Sequence, residues 1–318
     1  MTYVLGRLSV IIPHWNAIEW LPICLAALRA QTHPDIEIII VDNASQDGSQ
    51  ALIKADYPEV RLIELPTNRG FTGACNIGMQ AATGEFISLL NNDTEVAPHW
   101  AAALVEGFER FPDAGILASR MMLFDQRDHF HAAGDFFRRD GLPGNRGVWQ
   151  RDEGQFEEAA YVFSACGGAA AYRRTMLDEI GLLDDDFFFS GEDIDLGWRA
   201  QWAGYRCVYI PTALVYHKLS ATGGGVTASY YIGRNMLLIL FKNYPRDLWR
   251  KYRWAILGRQ ARIAYEALLA WRGEAARARL RGMLRGLWDG PRMLQKRPHQ
   301  IRRVSIDYID SILSPVGD

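Results

Sequence analysis

Apolar runs of strand length alternate with amphipathic stretches through about the first 110 residues. Residues 8–12, 37–41, 60–65 and 86–90 are rich in Ile, Val and Leu and read as strands buried on both faces, the first closed by Pro13. Between them, Leu21, Cys24, Leu25 and Leu28 recur at helical spacing. Asp47-Gly48-Ser49 supplies a turn and cap for a short helix through Lys54, and residues 73–82 form a helix packed with small residues. Pro98 starts a helix to about Arg110, and residues 115–118 are a further strand. Four rounds of strand and helix predict an α/β fold, with a mostly parallel central sheet and helices on both faces.

Residues 121–160 break this rhythm with Asp, Arg, Gly and aromatic residues, and Gly141-Leu142-Pro143-Gly144 reads as a turn. The stretch is an insertion of loops and short strands near a site, not a domain of its own. Strands at 161–163 and 207–210, the second ending at Pro211, and helices at 173–180 and 193–203 follow. From Tyr230 the pattern is helical, with Trp249, Tyr252, Trp254, Trp271 and Trp288 interleaved with arginines.

Charge changes the picture of that last segment. The 318 residues carry a formal net charge of −2, yet residues 234–303 hold 18 Lys/Arg against 4 Asp/Glu, leaving 17 basic and 33 acidic residues elsewhere. Such a tail either packs on the rest of the chain with a solvated basic face or lies on an anionic membrane surface. No nucleic-acid partner is expected, because no recognised module accompanies the basic residues. Cys24, Cys75, Cys166 and Cys207 show no metal spacing and read as core thiols of a reducing compartment. No apolar run approaches the ~20 residues that span a bilayer, and no signal-peptide pattern is apparent. The expected location is cytoplasmic, peripheral on the inner face of the plasma membrane.

The chemistry gathers where strands end. The run at 86–90 stops abruptly in Asn91-Asn92-Asp93. Open α/β sheets bind ligands beyond the carboxyl ends of their strands, although Asn and Asp are also common turn formers. The second strand likewise ends in Asp42, and the third leads to Asn68-Arg69-Gly70, with Asn76 beyond. Gly191-Glu192-Asp193-Ile194-Asp195 and Tyr216-His217-Lys218 come later. The loop after the first strand, Pro13-His14-Trp15-Asn16, has no glycine, which argues against a dinucleotide-binding dehydrogenase and against a sugar-nucleotide nucleotidyltransferase. A carboxylate can act as general base and as a hard metal ligand, and an imidazole nitrogen suits manganese better than magnesium. Taken alone, the residues leave alternatives open: Asp42 and Asp47 as turn or cap residues, Arg69 and His217 as surface residues, and the acidic turn at 192–195 as a complement to a helix dipole.

In this order, the motifs IIPHWN, VDNASQDGS, NRGF, LLNNDTEV, FFFSGEDIDLGWR and VYHKLSATGGG resemble those of inverting family 2 glycosyltransferases with a GT-A fold, close to the rhamnosyltransferase-like branch. The resemblance spans residues 8–243, about three quarters of the chain. It implies a Rossmann-like catalytic domain over residues 1–229, divided into a nucleotide-binding half, 1–120, and an acceptor and catalytic half, 121–229. A basic helical extension occupies 230–318. It implies Asp193 as catalytic base, with Glu192 positioning it or contacting hydroxyls. Pro13, His14, Asp42, Asn68, Arg69, Gly70, Asn76, Asn91 and Asn92 are expected around the nucleotide and donor, with Asp42 accepting from a pyrimidine N–H. Asp93 and His217 are the implied ligands of a divalent cation, Mn2+ or Mg2+. Asn91 stands where the family's D-x-D motif has its first Asp, which lowers the local negative charge and leaves much of the coordination to the donor diphosphate. Ser220, Thr222 and Arg234 are expected at a glycine-hinged lid over that diphosphate, and Arg199 as a further anion contact. The implied reaction moves a sugar from a nucleoside-diphosphate donor, dTDP-rhamnose or a UDP-sugar, to a saccharide or lipid-linked glycan acceptor in cell-surface polysaccharide synthesis. A catalytically silent nucleotide- or glycan-binding protein is the rival, favoured by the missing carboxylate at Asn91.

Overall fold

The computed structural model describes residues 3–219 and 225–317. Its first half follows the alternation of the sequence: β1 (Val4–His14), α1 (Leu21–Arg29), β2 (Ile36–Asp42), α2 (Ser49–Asp56), β3 (Arg61–Glu64), α3 (Gly70–Ala81), β4 (Gly84–Leu90), β5 (Thr94–Val96), α4 (Trp100–Arg110) and β6 (Ala114–Leu123). The stretch that breaks the rhythm holds β7 (Phe130–Ala133), β8 (Asp135–Phe137) and β9 (Pro143–Asn145). Then come β10 (Ala160–Val162), β11 (Ala169–Arg173), α5 (Arg174–Ile180), α6 (Glu192–Ala203) and β12 (Arg206–His217).

Ten strands form the main sheet among the described residues, along the order β10-β12-β6-β11-β4-β1-β2-β3, with β5 on β12 and β7 on β6. The pairs β1–β2, β2–β3, β1–β4 and β6–β12 are parallel, while β11 runs antiparallel between β4 and β6. Side chains alternate across the pleat. Val10 and Ile12 therefore face α1 and α4 in one core, and Ile11, Ile39 and Val41 face α3, α5 and α6 in the other.

Two prolines behave differently from expectation. β1 continues through Pro13 because its ladder with β4 ends at Ile11, so the missing N–H falls where no partner is needed on that side. β12 runs past Pro211 to His217, since a register shift against β6 between Ile210 and Leu214 takes up the break. That extension, paired with β5, carries His217 to the end of β4.

The tail forms α7 (Gly225–Asn243), α8 (Arg246–Leu269), α9 (Glu274–Leu294) and α10 (Ile306–Ile312). A third core joins them to the sheet domain: Phe137, Phe163, Trp198 and Trp202 pack with Leu238, Tyr244, Ile256 and Ile309. α9 turns Gly282, Gly286 and Gly290 to α7. A Cβ at Gly286 would lie 2.6 Å from the Arg234 carbonyl oxygen, so the two helices meet backbone to backbone.

Charge fastens α6 to α7. Lys242, buried, reaches Asp195 at 2.7 Å and Asp184 at 2.6 Å, while Arg199 and Asn243 also donate to Asp195, at 2.9 and 2.8 Å. Burial pushes the Asp195 carboxyl up, but Lys242 and Arg199 more than offset it and hold it below the usual range. Asp184 is likewise lowered, its burial outweighed by Lys242 and Lys296.

Lys242→Met keeps the volume but removes the cation that two buried carboxylates share, leaving Arg199 to Asp195 and Lys296 to Asp184. The expected loss is about 3–5 kcal/mol, read as a lower urea midpoint at neutral pH. Both folded carboxyls lie below the unfolded value, so this stabilisation is complete above pH ~4 and fades as acid protonates them. The deficit of the variant therefore narrows below that pH.

Candidate active site

Strand order reverses between β1 and β4, and the crevice beyond their carboxyl ends is the place where such sheets take ligands. There Asn92 Nδ2 lies 2.8 Å from His14 Nδ1, and His14 Nε2 lies 2.7 Å from Ser49 Oγ. Burial pushes the His14 pKa down. With both nitrogens engaged, this side chain is a neutral strut across the crevice. Asp42 closes β2 beside it, fully buried. Its Oδ2 accepts from Gln50 Nε2 at 2.6 Å and from the Ser45 N–H at 3.1 Å, while Oδ1 has no partner among the described residues. An acceptor buried without a donor costs on the order of 1–3 kcal/mol, which a ligand N–H would relieve.

Asn43, next in sequence, organises the following turn. Its Nδ2 donates to Asn68 Oδ1 and Gly70 O at 3.0 Å each, and its Oδ1 accepts from the Arg69 N–H at 2.7 Å. Gly70 has φ +73°, and a Cβ there would come within 2.5 Å of the Phe188 carbonyl oxygen, so only glycine lets this turn close against the aromatic loop before α6. Pro13, His14, Asn43, Asn68, Gly70 and Phe188 line a cleft of about 250 Å3. The Arg69 side chain is exposed.

β5 supplies the next convergence. Its antiparallel register sets Thr94 opposite His217, which brings Asp93 Oδ1 to 3.1 Å from His217 Nε2. Asn91 Nδ2 lies 3.2 Å from the same nitrogen. His131, on β7, meets His217 Nδ1 through its own Nδ1 at 3.1 Å. Burial, aided by His217, pushes the His131 pKa down to about 3, so it is a neutral partner that orients the His217 ring. Asp93 and His217 offer one oxygen and one nitrogen to a divalent cation, and no third His, Cys, Asp or Glu completes a cluster among the described residues. Such a pair fits a cation whose other positions belong to water and a diphosphate.

Glu192 and Asp193 open α6. Asp193 Oδ2 accepts from the Gly167 N–H at 2.9 Å and Oδ1 from the Ile194 N–H at 2.8 Å, whereas Glu192 Oε2 is buried and has no partner among the described residues. Burial raises both carboxyls, and Glu192, which also feels the charge of Asp193, goes well above the usual range. The two N–H groups at Asp193 favour its charged form, whereas Glu192, with Oε2 unpartnered among the described residues, has no such support. Gly167 and Gly168 join this end to the other: a Cβ at Gly168 would lie 3.2 Å from Asn91 Nδ2 and 3.5 Å from His217 Cε1. Asp193 also lines a second cavity of about 480 Å3 with His131, Cys166 and Asp135, completed by residues of α7, α8 and α9. Asp135 accepts from Asn145 Nδ2 at 2.7 Å, yet burial and the nearby Asp193 raise its carboxyl well above the usual range.

Other expected contacts are engaged elsewhere. The Asn76 amide bonds the Leu183 backbone and Asp185, because the loop before α6 needs partners for its buried polar groups. Arg234 is not a diphosphate contact here, since it bridges Asp289 and the Asp186 carbonyl. Arg199 is spent on Asp195 and the carbonyls of residues 180–182. Asp47 accepts from the Ile18 and Ser49 N–H groups, as a turn residue would. Ser220 and Thr222 lie outside the described residues. Sequence reasoning passed over Asn43, His131 and Asp135; only Asn43, directly after Asp42, carried a local signal.

Comparison with known proteins agrees with this architecture. Residues 9–181 match the family model for Glycosyl transferase family 2. An N-acetylglucosaminyl-diphospho-decaprenol L-rhamnosyltransferase of Mycobacterium tuberculosis is 27% identical over 285 residues, covering 81% of this chain and 90% of that protein. The mannosyltransferase PcManGT from Pyrobaculum calidifontis, solved with GDP-Man and Mn2+, has a TM-score of 0.56 at 17% identity, over 89% of this chain and 87% of that one. S. aureus TarS 1-349, solved with UDP, has a TM-score of 0.53 at 19% identity, over 76% and 67%. The fold is GT-A, and the chain belongs to glycosyl transferase family 2, where it resembles the rhamnosyltransferases.

Proposed function

We propose that the chain is a cation-assisted, inverting glycosyltransferase that moves a sugar from dTDP-rhamnose or a UDP-sugar to a hydroxyl of a lipid-linked glycan. One observation carries this reading: Asp193, the member of a buried acid pair that accepts from two N–H groups, is set beside Asn91 and His217 through Gly167 and Gly168, and it faces a cavity separate from the 250 Å3 cleft.

The cleft takes the nucleotide, and the open Asp42 Oδ1 accepts a pyrimidine ring N–H. Asp93 and His217 would hold a divalent cation, which when bound would supply positive charge to offset that of the diphosphate leaving group. Asp193 takes the proton of the acceptor hydroxyl as it attacks from the side opposite the leaving group, and neutral Glu192 donates a hydrogen bond to a sugar oxygen. One base and no enzyme nucleophile give inversion at the anomeric carbon. The acceptor class is taken from the rhamnosyltransferase relative, whose name specifies a diphospho-decaprenol glycan. The described residues contain no helix long and apolar enough to cross a membrane. However, α8 and α9 expose Trp254, Leu269, Leu284 and Trp288 among arginines, a face suited to an anionic membrane surface.

Asp193→Asn is expected to lower kcat by about 10²–10⁴-fold with donor KM unchanged. Undiminished turnover of dTDP-rhamnose and UDP-sugars by this variant would overturn the assignment. Since the base works deprotonated and burial raises its pKa, kcat/KM of the wild type should rise with pH through a value above that of an ordinary aspartate. Asn91→Asp restores a carboxylate, so Mn2+ titrated without nucleotide should bind roughly 10-fold tighter or better, followed by electron paramagnetic resonance. The wild type should co-sediment with phosphatidylglycerol vesicles and be released by salt, and Leu284→Glu/Trp288→Glu should stay in solution; equal partitioning of the two would remove the membrane-facing role.

A further inference from the structure

Two hydrogen-bond donors without partners line the 480 Å3 cavity. Arg279, on α9, makes no hydrogen bond, ion pair or ring contact among the described residues, and burial with no counter-charge pushes its pKa below the usual value. The amide nitrogen of Gln260, on α8, is buried and also unpartnered among the described residues. Arg234, Lys242, Arg259 and Lys296, also in the tail, each meet a carboxylate, and Arg297, whose pKa burial lowers to about 10, donates to the carbonyls of Leu240 and Phe241. Arg279 is half-buried, and a guanidinium partly withdrawn from water without an anion is held at a cost. An arginine kept that way, lining the same cavity as a second idle donor, is arranged for a ligand that brings the negative charge.

The walls indicate what that ligand is. α6 and β8 present Asp193 and Asp135, α8 and α9 present Gln260 and Arg279, and apolar side chains such as Ile232, Met236 and Ile263 fill the surface between. Met283 lines this cavity and also an apolar groove along α8 and α9, where Leu268, Leu284 and Leu287 lie. A hydroxyl-bearing sugar at Asp193, a phosphate at Arg279 and an apolar chain leaving past Met283 match the chemistry of these walls.

We infer that the cavity is the acceptor subsite, and that Arg279 together with Gln260 binds a phosphate group joining the acceptor sugar to a lipid chain. The inference rests on Asp193 being the base, as proposed above. A planar guanidinium makes paired, charge-assisted bonds to phosphate oxygens, and the Gln260 amide adds a third donor. Arg279 is here a binding residue and takes no part in the chemical step.

The test is calorimetric titration of the full chain with farnesyl diphosphate, farnesol and inorganic diphosphate. It is run in the presence of Mn2+ and saturating UDP or dTDP, whichever binds, so that the donor cleft is filled. Farnesyl diphosphate should bind the wild type more tightly than farnesol or inorganic diphosphate. Arg279→Gln should weaken it roughly 10-fold or more and leave farnesol unchanged. Arg279→Lys should keep some of the affinity, and Arg253→Gln, an exposed position on α8, all of it. Nucleotide affinity retained in the Arg279 variants shows that they are folded; if Arg279→Gln loses it, the comparison of Arg279→Lys with wild type decides. Equal affinity of farnesyl diphosphate for wild type and folded Arg279 variants overturns the inference, as does farnesyl diphosphate binding no better than farnesol. Inorganic diphosphate binding as tightly as farnesyl diphosphate removes the lipid. Failure of the wild type to bind any nucleoside diphosphate strikes instead at the donor site, and so at the catalytic reading itself.

Discussion

Lys242 holds the molecule to a single geometry. Its ammonium lies between Asp184 and Asp195, and Asp195 sits in the first turn of α6 only two residues after Asp193. A helix is stiff over one turn, so fixing Asp195 fixes where Glu192 and Asp193 stand. In the proposed role of Asp193 as base, the pair would have to keep within narrow tolerances of distance and angle. The side chain that sets those tolerances comes from α7, well outside the α/β sheet. The tail therefore belongs to the apparatus that presents the acid pair. Its third core, in which Trp198 and Trp202 of α6 pack with Leu238 and Tyr244, holds the same helix along the face that carries Asp195.

The uneven spread of charge has an internal explanation as well as an external one. Many basic residues of the tail meet acids of the sheet domain: Lys242 and Lys296 on Asp184, Arg292 on Asp186, Arg303 on Glu179 and Arg259 on Asp140. To that extent, the acidic excess before residue 234 and the basic excess after it are opposite faces of one contact. Exposed pairs of this kind contribute little each. The buried Lys242 cluster is different, because its members have no water to fall back on.

Much of the fold was legible because burial writes itself into periodicity. β2 and β4 are short apolar runs, and α1 shows its Leu and Cys face plainly. β5 and β11 were not legible. Thr94–Val96 is too short to show alternation, and Ala169–Arg173 is mostly alanine, a poor strand former that becomes a strand by filling the gap between β4 and β6. Missing them hid both the mixed character of the sheet and the device that brings Asp93 to His217. Among site residues, Asp42, Asp93, Asp193 and His217 stood out as polar groups at the ends of elements, within motifs that resembled a family. His131 and Asp135 had no such marker; their surroundings exist only after β7 pairs with β6 and β8 with β9. Asn76 and Arg234 were assigned to the donor for a related reason. Local sequence cannot tell a cleft-facing amide from one that holds a loop 107 residues away.

The hollow beside Asp193 is walled by lengths of chain that lie far apart, and this has a consequence for how such a protein can change. Residues that surround the 250 Å3 cleft come mostly from the first 71 positions, whereas the far side of the larger hollow is drawn from α7 onward. A transplant of the last three long helices from a cousin would rebuild the far side of the larger hollow while touching the smaller cleft only at Thr227. The graft would take only if the incoming helix carried its own buried cation to the acids of α6, so the same contact that steadies the machinery also restricts which segments are interchangeable.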